Sequence, residues 1–358
     1  GVDIGFNILN IQEIKDLSKY SPEVQQAIQK GFREDSINIF FAYPDIYGNC
    51  RARVNVGYTG FDTSKGYRTS APPPAQLCNE LEDYMLTPSN FSKKFMEDNG
   101  VFIPIHIFPH GVDMDIFKYR KRTKSDPFTF LYVGEISRRK GSFELLEVFS
   151  KNFSDEKYKL ILRANTHMKH YDGGILEDKF KGGNIEFYYQ DAGQEDIAKF
   201  YDQAHVLVHP SRSDWFGLTP LESLCCGLPV IATASNGYYE FLKDAIIPVS
   251  YTIQEIKPGE HPYFKGSWNV ASQEHLSQQM MYMYQYYDQI VNELESKNIF
   301  NRVRQEYTWK NVTEKYLLPF LEDVYKKEFG KTWSRPVPEV TTKQEIIETQ
   351  KLEPLDVG

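Results

Sequence analysis

Four cysteines in 358 residues, Cys50, Cys78, Cys225 and Cys226, are too few and too irregularly spaced for a disulfide framework, and no CxxC pair suggests structural zinc. They read as reduced thiols, the pattern of a cytoplasmic protein. No run of 18 apolar residues occurs, so no transmembrane segment is expected. The opening GVDIGFNILN has neither a basic flank nor a cleavable apolar core, and a secretory leader is not expected there. Positive charge is also short: 41 Lys and Arg stand against 49 Asp and Glu, a formal net charge of −8. That balance argues against a nucleic-acid partner and against a general attraction to acidic membranes. The one dense basic run, KYRKRTK at 118–124, reads as a solvated linker.

What is present describes a soluble globular chain long enough for two ordinary domains, with 41% apolar and 15% aromatic residues to fill two cores. Strand and helix signals alternate, the pattern of parallel α/β sheets. The most informative stretch is 205–242, HVLVHPSRSDWFGLTPLESLCCGLPVIATASNGYYEFL. A short apolar run at 205–209 ends in Pro210, as a buried strand does. Thr219-Pro220-Leu221-Glu222 predicts a helix starting at Pro220, with Thr219 as N-cap and Glu222 closing a capping box. Gly227 and Pro229 stop that helix, and PVIAT at 229–233 reads as a second buried strand. The loop 210–219 therefore lies at the carboxyl end of a strand, where open α/β sheets bind ligands. Asp214 and Glu222 flank helix-start amides around Gly217, Leu218 and Thr219, a set suited to a polyhydroxylated, anionic ligand. The plainer alternative is a capping glutamate and a solvated loop aspartate.

This stretch resembles the signature of the retaining glycosyltransferases of the GT-B fold, family 4: two acids separated by seven residues around Phe216-Gly217-Leu218, then Leu-Glu-(small)-x-x-x-Gly-x-Pro-Val-Ile-Ala. One departure is Asp214, where the family usually has Glu. The Pro-x-Gly-Val-Asp and Phe pattern at 109–117 matches the end of the family's first domain. Asp113 and Asp115 within it are read as part of that hinge and not as a metal pair. Gly134 and Lys140-Gly141 fit the family's Gly-Arg-x-x-x-x-Lys-Gly, although Glu135 holds the Arg position. Tyr307-Thr308-Trp309-Lys310 resembles the motif before the family's last helix.

The residues by themselves put Lys140 and Asp214 on one sheet edge if the strands at 128–134 and 205–209 are parallel members of one sheet. Arg138, Arg139 and Lys140 then supply cations for a diphosphate, and Glu240, in the helix after PVIAT, either holds a hydroxyl or faces solvent. The helix start Asn236-Gly237 would aim amides at the same edge. Further strands are expected at 36–43, 53–58, 104–109, 158–164 and 185–190. Helices are expected from Pro22 to Lys30, at 76–82, from the cap Ser89 to Gly100, at 142–151 and at 195–203. From Ser272 the chain reads as helical, and the Met and Tyr stripe at 280–287 reads as packing.

The resemblance implies an α/β GT-B architecture, two Rossmann-like domains with parallel sheets facing a central cleft. Its parts would be 1–122 on the acceptor side, 123–308 on the nucleotide-sugar side, a helix at 309–330 crossing back, and a polar tail at 331–358. It implies a hexosyltransferase moving a sugar, with retention, from a UDP or GDP sugar to a glycan or other hydroxyl acceptor, without a metal or other cofactor. Lys140 and Arg139 would stabilise the leaving diphosphate, Asp214 would orient the sugar and Glu222 would hold the ribose. Phe216, Gly217, Leu218, Thr219, Gly134, Arg138 and Glu240 complete the expected binding set. A sugar-nucleotide epimerase of the same fold, or an inactive sugar-nucleotide-binding subunit, are the alternatives. The family's first-domain histidine has no evident counterpart, since His106 and His110 both belong to the hinge motif.

Overall fold

The computed structural model describes residues 21–330, apart from 32, 49–50, 62–64, 68–72, 171, 181, 192, 258–259 and 261–263. The expected tail at 331–358 lies outside the described residues. By compactness the chain divides into a unit of Gly1–Arg33 with Glu322–Gly358 and a unit of Glu34–Leu321. In the first, helix α1 (Pro22–Lys30) begins as read, with Pro22 at its first position and Ser21 Oγ accepting from Val24 N.

The larger unit holds two parallel sheets. The first half supplies β1 (Ile37–Phe41), β2 (Val54–Tyr58), β3 (Lys65–Tyr67), α2 (Pro74–Leu81), β4 (Tyr84–Thr87), α3 (Asn90–Asp98) and β5 (Ile105–Ile107). Its sheet has the order β1-β2-β4-β5, with every pair parallel. The strand β4 carries no signal the sequence reading caught, because YMLT is short and fully buried, with no alternation to mark it.

The second half runs β6 (Phe128–Val133), α4 (Ser142–Asn152), β7 (Tyr158–Ala164), α5 (Asp172–Phe180), β8 (Ile185–Tyr189), α6 (Gln194–Asp202), β9 (Val206–His209), α7 (Leu218–Cys225), β10 (Val230–Thr233), α8 (Asn236–Leu242) and β11 (Ile246–Val249). Its parallel sheet has the order β11-β10-β9-β6-β7-β8, which makes β6 and β9 neighbours as expected. Both faces are covered, and β6 shows why its run reads as continuously apolar. Phe128, Phe130 and Tyr132 enter one core while Leu131 and Val133 enter the other.

An antiparallel hairpin follows, β12 (Tyr251–Glu255) with β14 (Ser267–Ala271), and between them β13 (Phe264–Lys265) pairs with β3 of the first half. This insertion was not foreseen. Every residue of β12 is exposed, so it lacks the buried alternation that marks a strand. The described residues then run through α9 (Gln273–Gln285), α10 (Tyr287–Ser296), α11 (Ile299–Glu306), α12 (Trp309–Val312), a π turn (Thr313–Leu317) and α13 (Leu318–Phe329). Met280, Met283 and Tyr287 are core residues, so the stripe is packing. Near the start of α13, Phe320 meets Tyr84 and His106 of the first half edge-on or tilted.

The basic run at 118–124 is solvated at Lys118, Arg120, Lys121 and Thr123 but not at Arg122 and Lys124. Arg122 is buried and donates to the carbonyls of Tyr201 and Cys226 at 2.8 and 2.9 Å, and Lys124 sits over the Tyr284 ring. A guanidinium can satisfy several carbonyls at once, so this stretch staples α6 and α7 to the chain entering the second half.

Candidate active site

The loop 210–217 leaves β9 at the carboxyl edge of the six-stranded sheet, and the loop 134–141 leaves its neighbour β6 at the same edge. Two glycines let them meet. Gly141 has φ 73° and lies so close to the Pro210 carbonyl that a Cβ there would be 2.0 Å from the oxygen. Gly217 has φ 88° and caps α7, and a Cβ there would sit 2.5 Å from the Tyr238 ring. The close approach places Lys140 Nζ 2.6 Å from Asp214 Oδ2, across 74 residues of chain.

Asp214 is buried and strongly held. Its Oδ2 also faces His209 Nε2 at 3.2 Å, and its Oδ1 accepts from Phe216 N at 3.4 Å. Its backbone is fixed too: Asp214 N donates to Asn236 Oδ1, and Gly237 N donates to Asp214 O at 2.9 Å. The Gly237 amide is therefore spent on the loop and not on a ligand. Burial would push the carboxyl up, but the charge of Lys140 and the hydrogen bond from His209 outweigh it and hold Asp214 well below the usual carboxylate range. Asp214 is thus an anion at any ordinary pH.

Glu222 lies one turn and a half into α7 and is also buried. The expected capping box does not form. The helix starts at Leu218 with Gly217 as its cap, so Thr219 is inside the helix and its hydroxyl meets His209 Nδ1 at 3.3 Å. Glu222 Oε2 instead accepts from Tyr201 Oη at 2.8 Å. Burial raises its pKa to about 7, against the opposing pull of Tyr201 and Arg163.

Of the other predicted residues, Arg139 ion-pairs with Glu135 at 2.6 Å and donates to the Ser213 carbonyl at 3.4 Å. It touches the Asp214 loop, but the residue standing at the family's Arg position takes part of its charge. Arg138 stacks on Phe143, 4.6 Å from the ring centre. Gly134 directly follows β6, Phe216 is buried in the core beside the site, and Leu218 is partly exposed at the first turn of α7. Glu240 is exposed, but its carboxylate is already engaged within the protein. Its Oε2 accepts from Asn90 N at 2.9 Å and its Oε1 from Phe91 N, so it caps α3 of the other half. Ser89 Oγ, next to that cap, donates to the Trp215 carbonyl at 2.5 Å.

Sequence reasoning missed His209, Tyr201, Arg212 and Trp215, and it read Asn236 for its backbone amide while the side chain is what holds the loop. Buried Arg212 pairs with Glu144 of α4 and with Glu260 at 2.9 Å, anchoring the loop to the inserted hairpin, whose Asn269 N donates to Arg212 O. Trp215 meets Tyr58 and His110, with centroids 6.4 and 5.8 Å apart. His110, read only as a hinge residue, also packs on Phe216, and burial lowers its pKa to about 4 against the upward pull of Asp214. The one available signal was His209 itself, a polar residue closing an apolar strand just before the loop. Among the described residues no group of three or more His, Cys, Asp or Glu is placed to hold a metal ion.

With this geometry in hand, the glycosyl transferases group 1 family model matches residues 113–254. A D-inositol 3-phosphate glycosyltransferase of Arthrobacter sp. (strain FB24) is 28% identical over 163 residues, 42% of this chain and 39% of that protein. The chain thus spans well under two thirds of that curated relative. Among solved structures, the sucrose-phosphate synthase of Thermosynechococcus elongatus superposes with a TM-score of 0.56 at 18% identity, covering 79% of this chain and 69% of that one. Alr3699/HepE of Anabaena, solved in complex with UDP, gives a TM-score of 0.52 at 14% identity over 75% and 72%. These structures share the GT-B fold with the chain, and the stretch 113–254 is similar in sequence to the group 1 glycosyl transferases.

Proposed function

We propose that the chain is a retaining glycosyltransferase that moves a sugar from a nucleoside diphosphate sugar to an acceptor hydroxyl. The observation that carries this reading is the meeting of Lys140 and Asp214 at 2.6 Å on one sheet edge, beside the amino ends of α4 and α7. Those ends present backbone donors without intrahelical acceptors and the positive pole of the helix dipole, a setting for phosphate oxygens. Lys140 neutralises the leaving diphosphate as the bond from the anomeric carbon to phosphate oxygen breaks, and Arg139 assists from the Glu135 pair. Asp214 orients the sugar, and Glu222, with Oε2 held by Tyr201, accepts from the ribose hydroxyls. The segment Phe216, Gly217, Leu218 and Thr219 lies along the nucleotide, with Gly134 and Arg138 bordering the opposite loop. Cations and helix amides meet the phosphates, so the reaction is expected to need no metal.

The donor is a UDP or GDP sugar, with UDP as the first probe because a neighbour of the same fold holds it. The acceptor is a glycan or other hydroxyl compound. A cytoplasmic setting is supported by the free, buried thiols of Cys78, Cys225 and Cys226. Among the described residues no helix is long and apolar enough to cross a membrane. A thermal-shift panel of UDP, GDP, ADP and TDP sugars, followed by product analysis with hydroxyl acceptors and excess EDTA, tests the proposal. A glycosylated acceptor formed in EDTA is the expected outcome. Epimerised donor, bound donor with no product, or turnover restored only by Mg²⁺ or Mn²⁺ would each refute the corresponding part.

A further inference from the structure

His209 closes β9 directly under the site and is buried, with 3% of its surface exposed. Its two ring nitrogens have different neighbours. Nδ1 lies 3.3 Å from Thr219 Oγ1, while Nε2 lies 3.2 Å from Asp214 Oδ2. A carboxylate only accepts, so the nitrogen facing Asp214 carries the proton. The Thr219 hydroxyl then donates to the bare Nδ1. The Tyr238 ring, edge-on with its centroid 5.3 Å away, limits rotation of the imidazole.

The arrangement matters because Asp214 Oδ2 has two donors, Lys140 at 2.6 Å and His209 at 3.2 Å. On the reading that Lys140 neutralises the donor's diphosphate, Lys140 must give up part of its hold on Asp214 when donor binds. A buried carboxylate stripped of its partner would take a proton or turn away. We infer that His209 is the positioning residue for Asp214: its Nε2–H keeps the carboxylate ionised and aimed at the sugar while Lys140 serves the diphosphate. Neutrality suits this task, since a second cation would compete with the sugar hydroxyls for the same oxygen. Burial lowers the His209 pKa against the pull of Asp214, and Lys140 and Arg139 lower it further. Those three are the charged groups acting on the ring, from the loops after β6 and β9; Thr219 and Tyr238 face it uncharged.

The inference rests on the roles proposed for Lys140 and Asp214, and two measurements separate its failure from theirs. In wild-type protein, imidazole ¹⁵N shifts should show protonated Nε2 and bare Nδ1 from pH 6 to 8, with and without UDP. A proton on Nδ1 overturns the inference whatever the activity. In kinetics with UDP-glucose and GDP-mannose, His209→Gln retains an N–H near the Nε2 position, and kcat should stay within about five-fold of wild type. His209→Leu removes the donor, and kcat should fall about 10- to 150-fold, the loss of one charge-assisted hydrogen bond, with donor KM and UDP affinity nearly unchanged. The acid limb of its kcat profile should also move upward, because Asp214 then holds its charge less well. Equal losses in both variants, or an unmoved acid limb, would leave His209 a packing residue. A Lys140→Ala protein that binds UDP as well as wild type would instead undo the site assignment and leave the tautomer result standing.

Discussion

Asp214→Asn should tighten the binding of a bare nucleoside diphosphate while it cripples transfer. In the free protein Lys140 is committed to Asp214, with side-chain exposures of 16% and 8%, so the pair is largely shielded from screening. A diphosphate arriving at Lys140 must compete with that carboxylate. The charge-assisted contact is worth about 1.5–3 kcal/mol net, and the neutral amide of Asn would retain about 0.5–1.5 kcal/mol of it. The difference, about 1–1.5 kcal/mol, corresponds to roughly 5- to 12-fold tighter binding of UDP or GDP. UDP has no sugar for Asp214 to hold, so nothing offsets the gain, whereas turnover loses the oriented carboxylate. Titration calorimetry with UDP and GDP on both proteins, with melting curves to establish that the variant folds, measures this. Because Asp214 is held well below the usual carboxylate range, the difference should be constant from pH 5 to 8. Its stabilising effect is present above the unfolded carboxyl pKa and is lost only as pH falls toward the folded value. Weaker UDP binding by Asp214→Asn would refute the competition argument, since it would mean that the carboxylate assists the diphosphate and does not withhold Lys140.

Three other substitutions read out separate parts of the site. Lys140→Ala should weaken UDP about 10-fold or more by calorimetry, as a partly buried charge-assisted contact is lost, and unchanged affinity would remove Lys140 from the phosphate site. For Glu222, the unfolded chain releases the proton near pH 4.3 and the folded chain holds it to about 7. Stability should therefore fall as pH rises through that window, by about 2–3 kcal/mol from this residue. Glu222→Gln should flatten that slope in urea denaturation at pH 5 and 8, and an unaltered slope would show that the carboxyl is already ionised at pH 5. Glu240→Ala removes the acceptor of the Asn90 and Phe91 amides and should cost about 1 kcal/mol. Faster amide exchange at the start of α3 would report it, and unchanged protection there would mean that water replaces the cap without loss.

Much of the fold was legible because its signals are local. Tyr158–Ala164, the helix beginning at Ser142 and the Ser89 cap of α3 need only an apolar run or a capping side chain within a few residues. Lys140 and Asp214 could be placed on one edge for a related reason: parallel strands put their carboxyl-end loops on the same side, whatever lies between them. The start of α7 was misread although its residues are local. Thr219 and Glu222 satisfy the capping-box spacing, but Gly217, free to take φ 88°, caps a helix that starts at Leu218, one residue before Thr219, and both side chains fall within it. Within the helix each takes a partner from another element, Tyr201 for buried Glu222 and His209 for half-buried Thr219. Glu240 is the extreme case, since the amides it caps lie 150 residues away. Sequence pattern determined most strands of the two parallel sheets and which loops carry the charges, but not β4, β11 or the antiparallel hairpin. Which donor meets which acceptor was decided only by packing, because a buried polar group must find a partner and will take whichever the tertiary structure brings within 3 Å.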